Sequence, residues 1–464
     1  MQESSVVQAT LRAMNPLLRD RIALITRRED EAMHFKERFR RLPHMLYADE
    51  RGRIFEHPHL RMAGFSGSRP APIEENDLVP MPEFSKLFYL PDCVPVGLDP
   101  ETGSYEVVEE VRVGKRMKSC YGVAAFLEPG FVRTHLPAAE PRQKTYVLPS
   151  WAYTAVGFRG DRYWAAGFLV EHNPRWDPRN YDDRELVPAI EAFRSTHAPS
   201  GPLVEHLVQC ATVNHCFAAK NLFLGRWEAP LPVSRSCNAA CLGCLSLQPD
   251  DSCPASHQRI GFVPSREEIV RLAVSHLEGT SEGIVSFGQG CEGEPLTEHR
   301  LIAESTREIR RHTRRGTINL NTNGSLPERV RAIAESGLDS IRISMNSARP
   351  DRYRAYYRPR GYGFEDVEES VRRAREMGLY TMINLLVFPG ISDTQAEVDA
   401  LEGLIRRTRV HFLHLKNLCI DPQLYQEHLP LEHTPALGMR CMAETLKSRF
   451  PDLELGYFNQ PVRV

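Results

Sequence analysis

The run Cys237-Asn238-Ala239-Ala240-Cys241-Leu242-Gly243-Cys244 sets three thiols at C-x3-C-x2-C spacing and supplies no fourth. A [4Fe–4S] cube usually takes four cysteine ligands, one per iron. Three on a short loop hold three irons and leave the last open to a non-protein ligand. An open position is what separates a catalytic metal centre from a structural one, as zinc sites illustrate. The run is also compatible with a zinc loop, or with a chance cluster in a chain of 11 cysteines. A structural zinc wants a fourth ligand at finger-like spacing. The nearest candidates, Cys253 and His257, fit that pattern poorly.

Downstream of this run, apolar segments alternate with helical patterns, the order that builds parallel sheets from βαβ units. Residues 231–234 read as the strand feeding the cysteine loop. A helix is predicted over 265–278, with Ser265 as N-cap and Glu268 completing a capping box. Strands follow at 283–287, 317–321, 340–345, 380–388 and 411–418, separated by helices at 298–313, 327–336, 364–377 and 394–408. Gly337 and Gly378 stand where helix ends favour a left-handed residue. These are six consecutive βα-type repeats, suited to a doubly wound sheet or a barrel-like (β/α) assembly. Both architectures put chemistry at the carboxyl ends of strands. The polar and glycine-rich motifs fall there, after Ser234, Phe287, Asn321 and Phe388 and at Asn346.

Taken together, the cysteine run and the repeats resemble the radical S-adenosylmethionine (radical SAM) superfamily over about residues 228–420. Gly293-Glu294-Pro295 is similar to the family's Gly-Gly-Glu-Pro segment, and Asn321-Thr322-Asn323-Gly324 to its Thr-Asn-Gly strand end. Residues 340–346 look like its fourth strand, and Phe388-Pro389-Gly390 like the end of its fifth. The resemblance implies a partial (β/α)6 TIM-like barrel in an α/β chain. It implies a [4Fe–4S] cluster on Cys237, Cys241 and Cys244, with S-adenosylmethionine chelating the open iron. One electron would cleave that cofactor to a 5′-deoxyadenosyl radical, which abstracts hydrogen from a substrate. An electron donor such as flavodoxin or ferredoxin is implied too. By position, Gly293 and Glu294 would lie along the methionyl amino group, and Ser344 and Asn346 would face the ribose. Asn323 and Asn384 are further candidates for that pocket. Two departures stand out. Gly243 replaces the aromatic residue often found before the last cysteine, and Glu292 replaces the first of the paired glycines. Glu292 reads as a solvated loop charge, or as a substrate or ammonium contact.

The rest of the chain bounds the reading. At 464 residues it exceeds what one core usually serves. Residues 1–225 read as a mixed, largely β N-terminal domain ending in a helical connector, 226–425 as the barrel, and 426–464 as a helical and strand extension. In the first part, 99–103 is a turn between strands, 146–170 a hairpin turning at Gly160-Asp161, and 186–193 and 203–217 are helical. Residues 30–41 form a short amphipathic piece. A charge of -2 argues against general nucleic-acid or acidic-membrane binding. No apolar run is long enough to span a membrane, and no signal-peptide pattern opens the chain. A cytoplasmic enzyme acting on a small molecule, cofactor precursor or peptide is expected. A non-catalytic scaffold that kept the metal loop is the alternative. Cys253, Cys291 and Cys419 are expected near the same rim, as ligands of an auxiliary cluster, as a hydrogen donor, or as packing. Cys210 and Cys216 read as packing residues of the connector. Lys220 and Arg226 are candidate anion or partner contacts, although that segment's aromatics read first as a seal joining the domains. The basic run 310–315 reads as a helix end.

Overall fold

The computed structural model describes residues 37–143, 147–148, 152–177, 179, 182–197, 201–248, 255–430 and 434–463. Most of 30–41, Tyr146 of the expected hairpin and Cys253 lie outside them.

The N-terminal region is an antiparallel assembly dominated by a 12-stranded sheet. Its hairpin pairs Val156–Arg159 with Arg162–Leu169 through Gly160 and Asp161, both at positive φ, the backbone a two-residue turn demands. The expected turn at 99–103 is present as well. The Asp99 carboxylate accepts the amides of Glu101 and Thr102 at 2.7 and 3.2 Å, and Gly103 takes positive φ. Three helices then lead to the barrel: α1 (Asp183–Thr196), α2 (Pro202–Thr212) and α3 (Phe217–Phe223). Lys220 is buried in α3 and its Nζ donates to Asp183 at 2.7 Å, so its charge serves the connector itself.

The barrel sheet runs in sequence order and is parallel throughout: β1 (Glu228–Pro230), β2 (Ile284–Phe287), β3 (Thr317–Thr322), β4 (Ser340–Met345), β5 (Tyr380–Val387), β6 (Phe412–Asn417) and β7 (Glu454–Gly456). The six expected repeats thus gain a seventh strand from the C-terminal segment. The first strand forms three residues earlier than expected. Around the sheet lie α4 (Arg266–Gly279), α5 (His299–His312), α6 (Pro327–Ala334), α7 (Pro350–Tyr357), α8 (Phe364–Glu376), α9 (Gln395–Thr408), α10 (Pro422–His428) and α11 (Met439–Arg449). The Ser265 capping box on α4 is formed.

Strand alternation gives the barrel two faces. Val285, Phe287, Ile318, Leu320, Ile341, Ile343, Ile383, Leu385, Leu413 and Leu415 face the helices and are buried in one continuous core. The alternate positions line the lumen and are mostly polar, namely Glu228, Ser286, Asn319, Asn321, Arg342, Ser344, Asn384, His414 and Lys416, with Ile284, Met382, Leu386 and Phe412 as apolar exceptions. The C-terminal segment crosses the seam between the outer strands. The Tyr457 ring lies 3.3 Å from Lys416 Nζ on β6, and Asn459 donates to Glu228 on β1 at 2.7 Å. Trp227, Ile284 and Phe458 form a buried cluster with Trp176 packed on it, joining the N-terminal region to the barrel.

The N-terminal region also docks on the loops after β5 and β6. Arg133, fully buried, donates its side chain to the carbonyls of Tyr153 and Leu418, both at 2.9 Å. Its amide donates to Asn417 Oδ1 at 3.0 Å while Asn417 Nδ2 returns a bond to Phe131 at 2.9 Å. Gly67 donates to Pro389 at 2.9 Å, and a Cβ on Gly390 would sit 2.0 Å from the Gly67 nitrogen. Phe388-Pro389-Gly390 is therefore a docking surface for the first region.

Candidate functional site

The cysteine loop begins where β1 loses its ladder. Pro230 and Pro232 carry no N–H. After the Leu231 amide bonds Ser286 at 2.8 Å, the amides of Val233 and Ser234 turn instead to Glu292 Oε2, at 2.9 and 3.0 Å. The other oxygen, Oε1, accepts Gly288 and Gln289 at 2.6 and 2.9 Å. This carboxylate replaces the strand expected at 231–234. It also overturns both readings of Glu292, which is 4% exposed and neither solvated nor free for a substrate. Burial pushes its pKa up to about 7, while four amides oppose that by favouring the ionised form.

The same carboxylate brings 288–294 against the loop. Gly293 and Glu294 donate their amides to Ser234 and Ser236, at 2.6 and 2.8 Å. A Cβ on Gly293 would fall 2.0 Å from the Ser236 oxygen, so only glycine permits this approach. The Glu294 side chain points elsewhere. It accepts from Leu296 at 3.0 Å, Asn323 at 2.8 Å and the Thr322 hydroxyl, fastening the end of β3. Burial raises this carboxyl too, to about 7. Asn323 reaches back to the loop, donating to Asn238 Oδ1 at 2.9 Å, and Asn238 donates to Ser325 at 2.8 Å.

From the other side the loop is held by α7, a helix absent from the sequence reading. Its closing carbonyls lack intrahelical partners. Tyr357 and Tyr356 offer theirs to the amides of Ala240 and Leu242, both at 3.0 Å. The Tyr356 hydroxyl and the Cys419 carbonyl would lie 2.9 and 3.1 Å from a Cβ at residue 243. A side chain at 243 would have to displace the Tyr356 hydroxyl, so a buried tyrosine from α7 occupies the place of a larger residue.

The three loop thiols are half-buried. Burial pushes Cys237 and Cys241 up, and neighbouring thiols add to it. Arg259 donates to Cys244 Sγ at 3.5 Å and to Ser246 Oγ at 3.1 Å, a cation beside the last cysteine that spacing alone does not reveal. Among the described residues, the group whose ligand atoms all lie within 4.8 Å of one another is elsewhere. The loop thiols are therefore more open than a single metal ion requires.

Beside the loop, the lumen carries unsatisfied polarity. Asn321 Nδ2, Arg342 Nε, Asn384 Oδ1 and His414 Nδ1 are buried without a hydrogen-bond partner. Ser344 accepts from Asn384 at 3.2 Å, which places both on the lumen wall. Asn346 lies just past β4 and turns away, donating to Tyr425 and to the Arg352 carbonyl at 3.1 and 3.3 Å. Burial and the nearby Arg342 push the Lys416 ammonium well below its ordinary range, and the same causes depress His414. A cleft of about 990 Å3 on the N-terminal sheet, lined by Arg38, Arg61 and Glu74, holds none of these residues.

The expected grouping of Cys253, Cys291 and Cys419 divides. Cys419 follows β6 beside Gly243, whereas Cys291 lies with His206 and Cys210 of α2. Cys253 lies outside the described residues. In the basic run, Arg310 pairs with Asp339 and Arg311 with Glu308, as a helix end would.

Residues 231–401 match the family model described as the radical SAM superfamily. A GTP 3′,8-cyclase of Petrotoga mobilis is 28% identical over 208 residues, covering 44% of this chain and 57% of that protein. One from Pelotomaculum thermopropionicum is 27% identical over 187 residues, 40% of this chain and 54% of its own length. The chain thus spans about half the length of these curated relatives. Among solved structures, the FeFe-hydrogenase maturase HydG of Carboxydothermus hydrogenoformans aligns at TM-score 0.36 and 14% identity over 59% of this chain and 65% of its own. Streptococcus suis SuiB bound to S-adenosylmethionine aligns at 0.36 and 12%, over 60% and 61%. No helix among the described residues is long and apolar enough to cross a membrane.

Proposed function

Residues 231–401 belong to the radical SAM superfamily, and on that premise we propose that the chain is a radical SAM enzyme acting on an anionic substrate held in the barrel lumen. Three soft thiolate donors on a loop pinned from both flanks suit a cubane with one open iron. Cys237, Cys241 and Cys244 would hold that [4Fe–4S] cluster. Bound there with S-adenosylmethionine, it supplies the reductive cleavage that delivers a 5′-deoxyadenosyl radical for hydrogen abstraction. The chain's own residues do the rest. Gly293 and Glu294 present backbone along the loop, Asn323 and Asn238 fix its far side, and Ser344 and Asn384 offer polar atoms toward the cofactor. The Glu294 carboxylate and Asn346 support this frame from behind. Arg133, Asn417 and the Phe388–Gly390 turn let the N-terminal region exclude water from the rim, as radical chemistry demands.

The observation that carries the substrate class is the pair Arg342 and Lys416. Neither forms a direct ion pair among the described residues; burial holds both below their ordinary range although Glu228 acts on both and Glu171 on Lys416, and unpartnered polar atoms lie beside them. An entering anion would relieve that penalty. Because the curated relatives are named GTP 3′,8-cyclases, GTP is the first anion to try. Anaerobically reconstituted protein, given dithionite and S-adenosylmethionine, should form 5′-deoxyadenosine, and Cys241→Ala should not. An intact cluster that yields none would favour a non-catalytic scaffold. Titrating GTP and pyrophosphate into wild type and Arg342→Gln tests the anion: a tenfold weaker Kd in the variant supports it, and equal binding refutes it.

A further inference from the structure

A second group of ligands stands apart from the cysteine loop. His206 and Cys210 are four residues apart on α2, so they share one face of the helix. Cys291, from the loop after β2, meets them there. An imidazole nitrogen of His206, Cys210 Sγ and Cys291 Sγ all lie within 4.8 Å of one another, and His206 Nε2 is 3.7 Å from Cys210 Sγ. A tetrahedral zinc with Zn–S of about 2.3 Å and Zn–N of about 2.0 Å sets its sulfur and nitrogen ligands about 3.5 Å apart. The cluster therefore closes on one metal ion with little movement. Cys210 and Cys291 are 0% and 3% exposed, while His206 is half-buried and leaves an approach. His257 is beside them. It feels the charge of both Cys210 and His206, its Nδ1 lies 3.0 Å from Ser256 Oγ, and its amide donates to Leu245 next to the last loop cysteine.

We propose that His206, Cys210 and Cys291 bind a zinc ion, with His257 completing the coordination. Two thiolates and imidazole suit zinc, and each carries its own electron pair, so binding releases thiol protons and needs no oxidant. The ion would tie α2, and through it the N-terminal region, to the loop that continues into Glu292 and Gly293. The site differs from an auxiliary iron–sulfur cluster in nuclearity and in drawing its ligands from the helical connector.

Metal analysis of the full chain, purified anaerobically, tests this. About one zinc per chain should accompany the iron. Cys210→Ser and His206→Ala should each lower zinc at least fivefold while iron stays unchanged. His206 is half-buried and outside the apolar core, so its alanine variant should keep the fold, and circular dichroism separates loss of metal from loss of fold. Zinc that is absent, or present but indifferent to both substitutions, overturns the proposal. So does iron falling together with zinc in these variants, or recovery of Cys210 and Cys291 as one disulfide-linked peptide pair.

Discussion

Glu292 shows how one side chain can stand in for a length of strand. Each carboxylate oxygen accepts two amides, so Glu292→Gln turns an NH2 group toward two N–H donors and leaves them unpaired. Two buried unsatisfied donors cost on the order of 2–4 kcal/mol. Urea unfolding of the cluster-free protein should show that loss, and a change under 1 kcal/mol would mean water replaces the carboxylate. Arg259 acts through charge. Its guanidinium beside Cys244 would favour the more negative, reduced state of a cluster held by that thiolate. Arg259→Leu should lower the cluster's reduction potential by on the order of 50 mV, close to a tenfold change in a one-electron equilibrium. Potentiometry monitored by electron paramagnetic resonance reads this directly, and an unchanged potential would remove Arg259 from the role. Neither residue's part was visible in sequence. A glutamate and an arginine far from the cysteines give no local signal until the chain folds them together.

Among the elements, α4 to α6, α8 and α9 were readable because their apolar residues recur at helical spacing and their ends carry caps or glycine. Helix α7 was missed. Its sequence, Pro350-Asp351-Arg352-Tyr353-Arg354-Ala355-Tyr356-Tyr357, has only tyrosines and one alanine as apolar material. Those tyrosines are buried because the cysteine loop and α10 pack on them, which is a tertiary fact. Strand β7 has only three residues, too few for a period to show. Helix α4 carries a testable charge. His276, 4% exposed and set 3.4 Å from the Trp227 carbonyl, is pushed down to about 4 by burial. Its unfolded value is about 6.5, so between those limits the unfolded chain binds the extra proton. Stability therefore falls as pH drops from about 6.5 to 4, by up to about 3 kcal/mol from this residue. His276→Gln should remove that part of the slope. Identical pH profiles for the two proteins would show that the imidazole stays solvated.

At the scale of the molecule, the barrel is completed by parts outside it. The N-terminal region meets β6 through the reciprocal Arg133–Asn417 pair, and the C-terminal segment crosses the seam from Lys416 to Glu228. Asn417→Ala leaves the Arg133 amide and the Phe131 carbonyl unpaired, at a cost of about 2–4 kcal/mol. Limited proteolysis should then cut the N-terminal region faster while barrel fragments persist. Uniform protection would mean the interface rests on its apolar contacts alone. The cysteine spacing and the βα rhythm, both local patterns, were enough to identify the barrel from the sequence by itself and to place the cysteine loop at the end of its first strand. Only the tertiary structure could decide that Gly243 makes room for Tyr356, that Glu292 is a backbone clamp, that Cys291 joins α2 rather than Cys419, and that Arg342 and Lys416 share the lumen with Glu228. Those outcomes depend on which residues, distant along the chain, share a buried volume, and burial changes what a charge or a thiol can do.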